Sequence, residues 1–288
     1  MQAEESISPL TSLESDRAKL RGSVLRKPLN KSSLAIQITL TVLALLTVYA
    51  FLVFDYKDIN VGQASLATLE NFRIMFFEPM TTHFTLREAG YEILITLALA
   101  FLTTLLGGIL ALFLGLLAAE NLSNGRVSKI IRSCVAFVRA VPTILWVLIF
   151  AVAAGLGSVA AVIGMSFHSI SYLSKAYSES FEEMDPGVIE AMKASGASWW
   201  QIVFQAVLPS SITYLLSWTF LRFEINFGIA VAMGAAAGAG GIGFNLYMAS
   251  GHYFDLREVG LITYLILFIA IILESFSTRM KAKVQVKG

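Results

Sequence analysis

Stretches of apolar residues long enough to cross a bilayer recur along the chain, separated by shorter polar segments. They predict helices over about residues 34–54, 93–119, 134–155, 157–177, 210–233 and 259–276, hence an all-α membrane protein with six transmembrane helices. In the second run Gly107, Ala111 and Gly115 recur every four residues, a small-residue stripe that lets another helix approach closely. The third holds Pro142, which frees the carbonyl one turn earlier and kinks the helix, so a neighbour or a cavity must satisfy that group. The fourth is weaker, rich in Ala, Gly and Ser. Between the first two runs, residues 55–92 carry six acidic side chains (Asp55, Asp58, Glu70, Glu78, Glu88, Glu92) against three basic ones (Lys57, Arg73, Arg87). Within it, Leu66 to Phe77 repeats as a helix and is expected to rest on the outer face of the bilayer.

Composition agrees: 56% of the 288 residues are hydrophobic, 14% are charged and the mean hydropathy is +0.72, far too apolar for a soluble domain. The net charge of +1 hides a strong sidedness and gives no reason to expect a nucleic-acid partner. A single cysteine, Cys134, excludes an internal disulfide and any multi-cysteine metal centre. His83, His168 and His252 are far apart in the chain, so they are read as structural or solvated; no metal and no cofactor are expected.

One polar interruption, residues 185–209, has helix-turn-helix chemistry. Asp185 caps a first helix that opens on Pro186, where a missing N–H costs nothing, and Gly196 supplies the left-handed residue that ends it. Ser198 and Gln201 form a capping box for a second helix, which Pro209 is expected to stop. Glu190-Ala191, Gly196 and Leu208-Pro209 have the spacing of the EAA loop, and the segment resembles the signature of ABC importer membrane subunits. Met192 and Ala206 depart from that pattern, in place of an alanine and an isoleucine, without breaking the helix-turn-helix. The resemblance implies a type I ABC importer permease fold whose cytoplasmic coupling helix, at Glu190, Ala191, Gly196, Leu208 and Pro209, seats in an ATPase subunit.

Charge places the ends. With six spans and the amino terminus inside, one side collects six Lys and Arg from the first tail, three from residues 126–132, two around the hairpin (Lys175, Lys193) and four from the last tail, against four on the other side. Both termini and the hairpin are therefore expected in the cytoplasm. The expected organisation is a cytoplasmic tail over 1–33, with room for a surface-lying helix near 20–29; a first span over 34–54; and an extracytoplasmic segment over 55–92. A core transmembrane domain over 93–277, containing the hairpin, and a cytoplasmic basic tail over 278–288 complete it.

Two arginines lie inside predicted spans. Arg139, about one turn in, either snorkels to the inner surface or serves a transport path. In the fifth span, Arg222, Glu224 and Asn226 lie near the middle of an apolar helix, where charge costs several kcal/mol unless paired or wet. At 100° per residue Arg222 and Asn226 share a face and Glu224 points away, so Glu224 is expected to meet another helix, through Arg139 or a second copy. Either Arg222 and Asn226 line a path for an anion, or Arg222 only offsets Glu224.

Arg222-Phe-Glu-Ile-Asn226, with Gly238-Ala-Gly-Gly-Ile-Gly243 after it and Arg139-Ala-Val-Pro-Thr143 before it, resembles the permease of phosphonate-type ABC importers over roughly residues 88–276. Methionine-type permeases carry a similar glycine stretch, whose physical use is close packing or a hinge. The resemblance implies a transport subunit without chemistry of its own, paired with a second permease copy, two ATP-binding subunits and an extracytoplasmic substrate-binding protein. It implies a phosphonate-like anion as cargo in the bacterial inner membrane, with methionine or phosphate as the alternative. An ion-driven secondary transporter would show paired broken helices in two halves, and an intramembrane hydrolase a His-Glu-x-x-His string or a partnered serine; neither pattern is evident.

Overall fold

A computed structural model describes residues 31–54 and 60–285, and every regular element among them is helical. The tail expected over 1–33 lies outside them except for its last three residues, which open the first helix. The helices are α1 (Lys31–Val53), α2 (Val61–Phe77), α3 (Leu86–Ala118), α4 (Gly125–Ala140), α5 (Thr143–Ala154), α6 (Ser158–Glu182), α7 (Pro186–Ala194), α8 (Trp199–Ile202), α9 (Leu208–Ala237), α10 (Ile242–Tyr247) and α11 (Leu256–Gln285).

The described residues up to Ala64 form one unit and those from Ser65 a second. In the first, α1 is apolar on every side and buries nothing, as a helix facing lipid does. Its Thr39 and Thr47 hydroxyls donate back to the carbonyls of Ala35 and Leu43, so neither is left unpaired in an apolar medium.

The second unit is built around α6, which packs against α3, α4, α5 and α9. The small-residue stripe of α3 makes this possible: a Cβ on Gly107 would stand 2.6 Å from the Cβ of Ser169, and one on Gly115 3.0 Å from that of Tyr177. α3 begins earlier than predicted, at a capping box where the Thr85 hydroxyl accepts from the Glu88 amide and Glu88 accepts from the Thr85 amide. α2 packs its end on α11: the Tyr264 hydroxyl donates to the Phe76 carbonyl at 2.7 Å, and the Met80 amide to the Arg257 carbonyl.

Among the described residues the expected count of six spans is not met. Four helical stretches there are long and apolar enough to cross a membrane (Lys31–Val53, Leu86–Ala118, Trp199–Ala237, Leu256–Arg279), and five if a bent pair is counted as one. That pair is α4 and α5, which meet at 87° around Val141-Pro142, so the run over 134–155 is a broken element and not one straight helix. The carbonyl that Pro142 frees, on Val138, accepts from the Trp146 indole at 3.1 Å. The run over 157–177 is a long helix, α6, but six of its fourteen buried residues are serines, which lowers its hydropathy while fitting it to the centre of the bundle.

Pro209 does not stop the hairpin's second helix. α8 runs through a π turn, Val203–Val207, straight into α9. The wider turn lies just before the proline, whose ring would otherwise collide with the carbonyl four residues back, and the Ser210 hydroxyl donates to the Ala206 and Val207 carbonyls. The glycine stretch ends α9 at Gly238, in the left-handed conformation (φ 61°), and folds α10 against it. A Cβ on Gly234 would stand 2.6 Å from the Gly240 carbonyl oxygen, and one on Gly243 would overlap the Val231 carbonyl. Of the two expected uses, close packing is the one this geometry displays.

Candidate functional site

The middle of α9 carries a buried polar network. Arg222 is 2% exposed and Asn226 fully buried, on the same face of the helix. Arg222 Nε donates to Ser169 Oγ at 3.1 Å, and Nη2 lies 3.3 Å from His168 Nδ1. Because a guanidinium only donates, that contact requires His168 Nδ1 to be the acceptor. The Tyr172 ring lies 5.2 Å from Arg222 Cζ, a cation–π distance. Asn226 Nδ2 donates to Thr104 Oγ1 at 2.8 Å and to Ser169 Oγ at 2.9 Å, tying α3, α6 and α9 together.

Among the described residues no carboxylate pairs with Arg222, and two of its five N–H donors are engaged. Glu224 is half-buried on another face and forms no ion pair with Arg222, Arg139 or any other described residue. Among the described residues, then, no ion pair with Glu224 offsets Arg222. Arg139 is exposed at the end of α4, likewise without a carboxylate, and His168 lies in the field of both arginines. Ser169, His168, Tyr172 and Thr104 escaped sequence reasoning. Their only signal was the serine-rich weakness of the fourth apolar run, since the contacts join residues 53 to 122 positions apart.

The hairpin forms at one end of the bundle as its local chemistry requires. The Asp185 carboxylate accepts from the Gly187 amide at 2.9 Å, and Pro186 occupies the first helical position. Gly196 (φ 80°) turns the chain, its amide donating to the Lys193 carbonyl and that of Ala197 to the Met192 carbonyl. Ser198 and Gln201 complete their capping box. Ile189, Ile202, Val203 and Val207 bury the inner face against Leu122, Tyr177 and Phe181, while the Trp199 indole donates to the Leu122 carbonyl at 2.8 Å. Glu190, Ala191 and Gly196 are exposed, as is Pro209, and Leu208 is half-buried. The hairpin is thus packed onto α3, α6 and α9, and turns outward a mixed face of Glu190, Lys193 and Gln201 with the exposed apolar Val188, Trp200 and Phe204.

At the opposite end, Glu258, 1% exposed, accepts from the Thr82 and His83 amides at 3.2 and 2.8 Å and lies 2.9 Å from His83 Nδ1. Asp255 caps α11 through the Arg257 and Glu258 amides and accepts from Thr82 Oγ1 at 2.8 Å. Burial opposes its charge, but these hydrogen bonds and the nearby His83 outweigh that and hold its carboxyl below the ordinary aspartate range. His83, Asp255 and Glu258 bring ligand atoms within 4.8 Å of one another, a grouping that sequence spacing did not suggest. Every one of these carboxylate oxygens already accepts from the protein, so the cluster reads as a clamp between the α2–α3 loop and α11.

Residues 111–282 match the family model "Binding-protein-dependent transport system inner membrane component", and the chain belongs to that family, as the permease subunit of an ABC importer. It is 35% identical over 153 residues to the phosphate-import permease protein PhnE of Mycolicibacterium smegmatis, covering 53% of this chain and 29% of that protein. It is 31% identical over 225 residues to the phosphite transport system permease protein PtxC of Stutzerimonas stutzeri, covering 77% and 79% respectively. The chain thus spans less than a third of the first relative's length and about four-fifths of the second's. Its fold is similar to that of a chain of the inward-facing MetNI methionine ABC transporter, with TM-score 0.61, 22% identity and coverage of 67% of this chain and 95% of that one.

Proposed function

We propose that this chain carries a phosphonate or a related phosphorus oxyanion across the bacterial inner membrane, as one of a symmetric pair of permeases driven by two ATP-binding subunits. The observation that supports the cargo is Arg222, a buried guanidinium without a carboxylate and with donors to spare among the described residues. Such a group is costly to bury unpaired, and a tetrahedral anion meets its donor fork with paired, charge-assisted hydrogen bonds. Asn226, holding Ser169 and Thr104 in place, sets the wall of that path, with Glu224 and Arg139 at its margins. The phosphate and phosphite in the relatives' names support the same class of cargo.

In this reading both termini and the hairpin face the cytoplasm, residues 93–277 form the translocating core, and an extracytoplasmic substrate-binding protein delivers the anion to the outer loops. The ATPase subunits hold Glu190 to Leu208. Because the hairpin is packed onto α6 and continuous with α9, a displacement of Gly196 moves the helices that hold Arg222. The test is uptake by proteoliposomes holding the permease, its ATPase subunits and its receptor, with phosphonate, phosphite and methionine in competition. Phosphorus oxyanions should compete and methionine should not, and Arg222→Gln protein that still assembles should lose uptake. Unchanged uptake by that variant removes the path.

A further inference from the structure

At the hairpin end, a cavity of about 220 Å³ opens between α4 and α6, its lining including Arg132, Arg139, Ser174, Lys175, Ser178 and Glu179. One water needs only ~10–15 Å³, so the space takes a group of several heavy atoms. Its charges do not cancel. Lys175 pairs with Glu179 at 3.0 Å and Arg132 with Glu182, which leaves Arg139 as the cation without a carboxylate among the described residues. In the same lining, Ser174 Oγ is fully buried and has no hydrogen-bond partner among the described residues, a state that buried hydroxyls avoid. A surplus cation and an unpartnered hydroxyl lining one cavity are the complement of a small anion with several acceptor oxygens.

We infer that this cavity is a second binding site for a phosphorus oxyanion, with Arg139 as the charge and Ser174 as the hydrogen-bond donor. Arg132 gives the site reach. Besides Glu182, its Nε donates to the Ala118 carbonyl at 2.9 Å, and Glu182 in turn accepts from the Glu120 amide at 2.6 Å. An anion drawn to Arg139 therefore sits beside the bonds that join α3, α4 and the root of the hairpin. Two sources share the chemistry: the transported anion on its way out, or the phosphate of an anionic lipid headgroup, which basic pockets at the cytoplasmic side of helical bundles hold. The first rests on the proposed cargo, and the second only on the proposed placement of the hairpin end in the cytoplasm.

Two measurements on the full-length chain separate them. In nanodiscs of phosphatidylcholine alone, filter binding of radiolabelled inorganic phosphate should show a class of site weakened at least tenfold by Arg139→Gln and by Ser174→Ala, partly restored in Arg139→Lys, and unaffected by Arg222→Gln. For a headgroup site, native mass spectrometry of protein purified from phosphatidylglycerol-containing membranes should instead show one retained lipid fewer in Arg139→Gln than in the parent. Either loss supports the site and names its source. If Arg139→Gln changes neither phosphate binding nor retained lipid, the inference is overturned. Sensitivity to Arg222→Gln alone would keep the proposed path and discard this second site. Arg139 is exposed and makes no ion pair among the described residues, so its variants are expected to fold.

Discussion

Replacing Arg222 by methionine, which keeps the length of the side chain and removes its charge, should leave the fold as stable as before or more stable while ending transport. Arg222 has two hydrogen bonds to neutral partners, at 3.1 and 3.3 Å, and a ring contact at 5.2 Å. Hydrogen bonds to a charged group contribute about 1.5–3 kcal/mol each, the longer ones at the low end, and a desolvated cation–π contact about 2 kcal/mol. Together they return about 5 kcal/mol, against an effective penalty of several kcal/mol for burying one unpaired ion. The two nearly cancel, and the leftover Ser169 hydroxyl keeps its bonds with Asn226. A true buried ion pair would behave differently, since removing one partner costs about 3–5 kcal/mol. The assay is thermal unfolding of the purified permease with and without a phosphonate, beside uptake by the reconstituted complex. A saturating anion at 100 times its Kd should stabilise the parent by about 2.7 kcal/mol and Arg222→Met not at all. A variant that unfolds several degrees early, and whose parent gains nothing from the anion, refutes the idea that the arginine is kept for a ligand.

Three further outcomes are expected. Gly196→Pro breaks the φ 80° turn and loses the bond to the Lys193 carbonyl, and Glu190→Lys reverses an exposed charge; both should leave normal amounts of protein in the membrane but lower transport per ATP hydrolysed severalfold, measured as phosphate released against anion accumulated. Gly243→Ala places a methyl group on the Val231 carbonyl, where no flexible side chain can yield, so membrane accumulation should fall sharply on immunoblots. Asp255 has a folded pKa below its unfolded value, so its contribution to stability is present above the ordinary aspartate range and lost as pH falls through the folded value. Unfolding scans of the parent should therefore fall off with acid below that range, more steeply than those of Asp255→Asn.

The chain's local signals were readable wherever neighbouring residues decide the outcome. Asp185 and Pro186, Gly196, and the Ser198–Gln201 box lie within a few residues of the groups they bond, so backbone geometry alone dictated the hairpin. The four-residue spacing of Arg222 and Asn226 likewise set their common face, and that of Gly107, Ala111 and Gly115 a helix contact. Tertiary structure alone decided what those faces meet. It chose Ser169, His168 and Tyr172 for Arg222 in place of Glu224, folded the 134–155 run through 87°, and carried α8 past Pro209 on a π turn. It also joined Thr82 and His83 to Glu258 more than 170 residues away. Hydropathy reports how apolar a run is, and periodicity which residues share a side. Neither reports which distant hydroxyl or carbonyl stands opposite, because that depends on how closely whole helices pack.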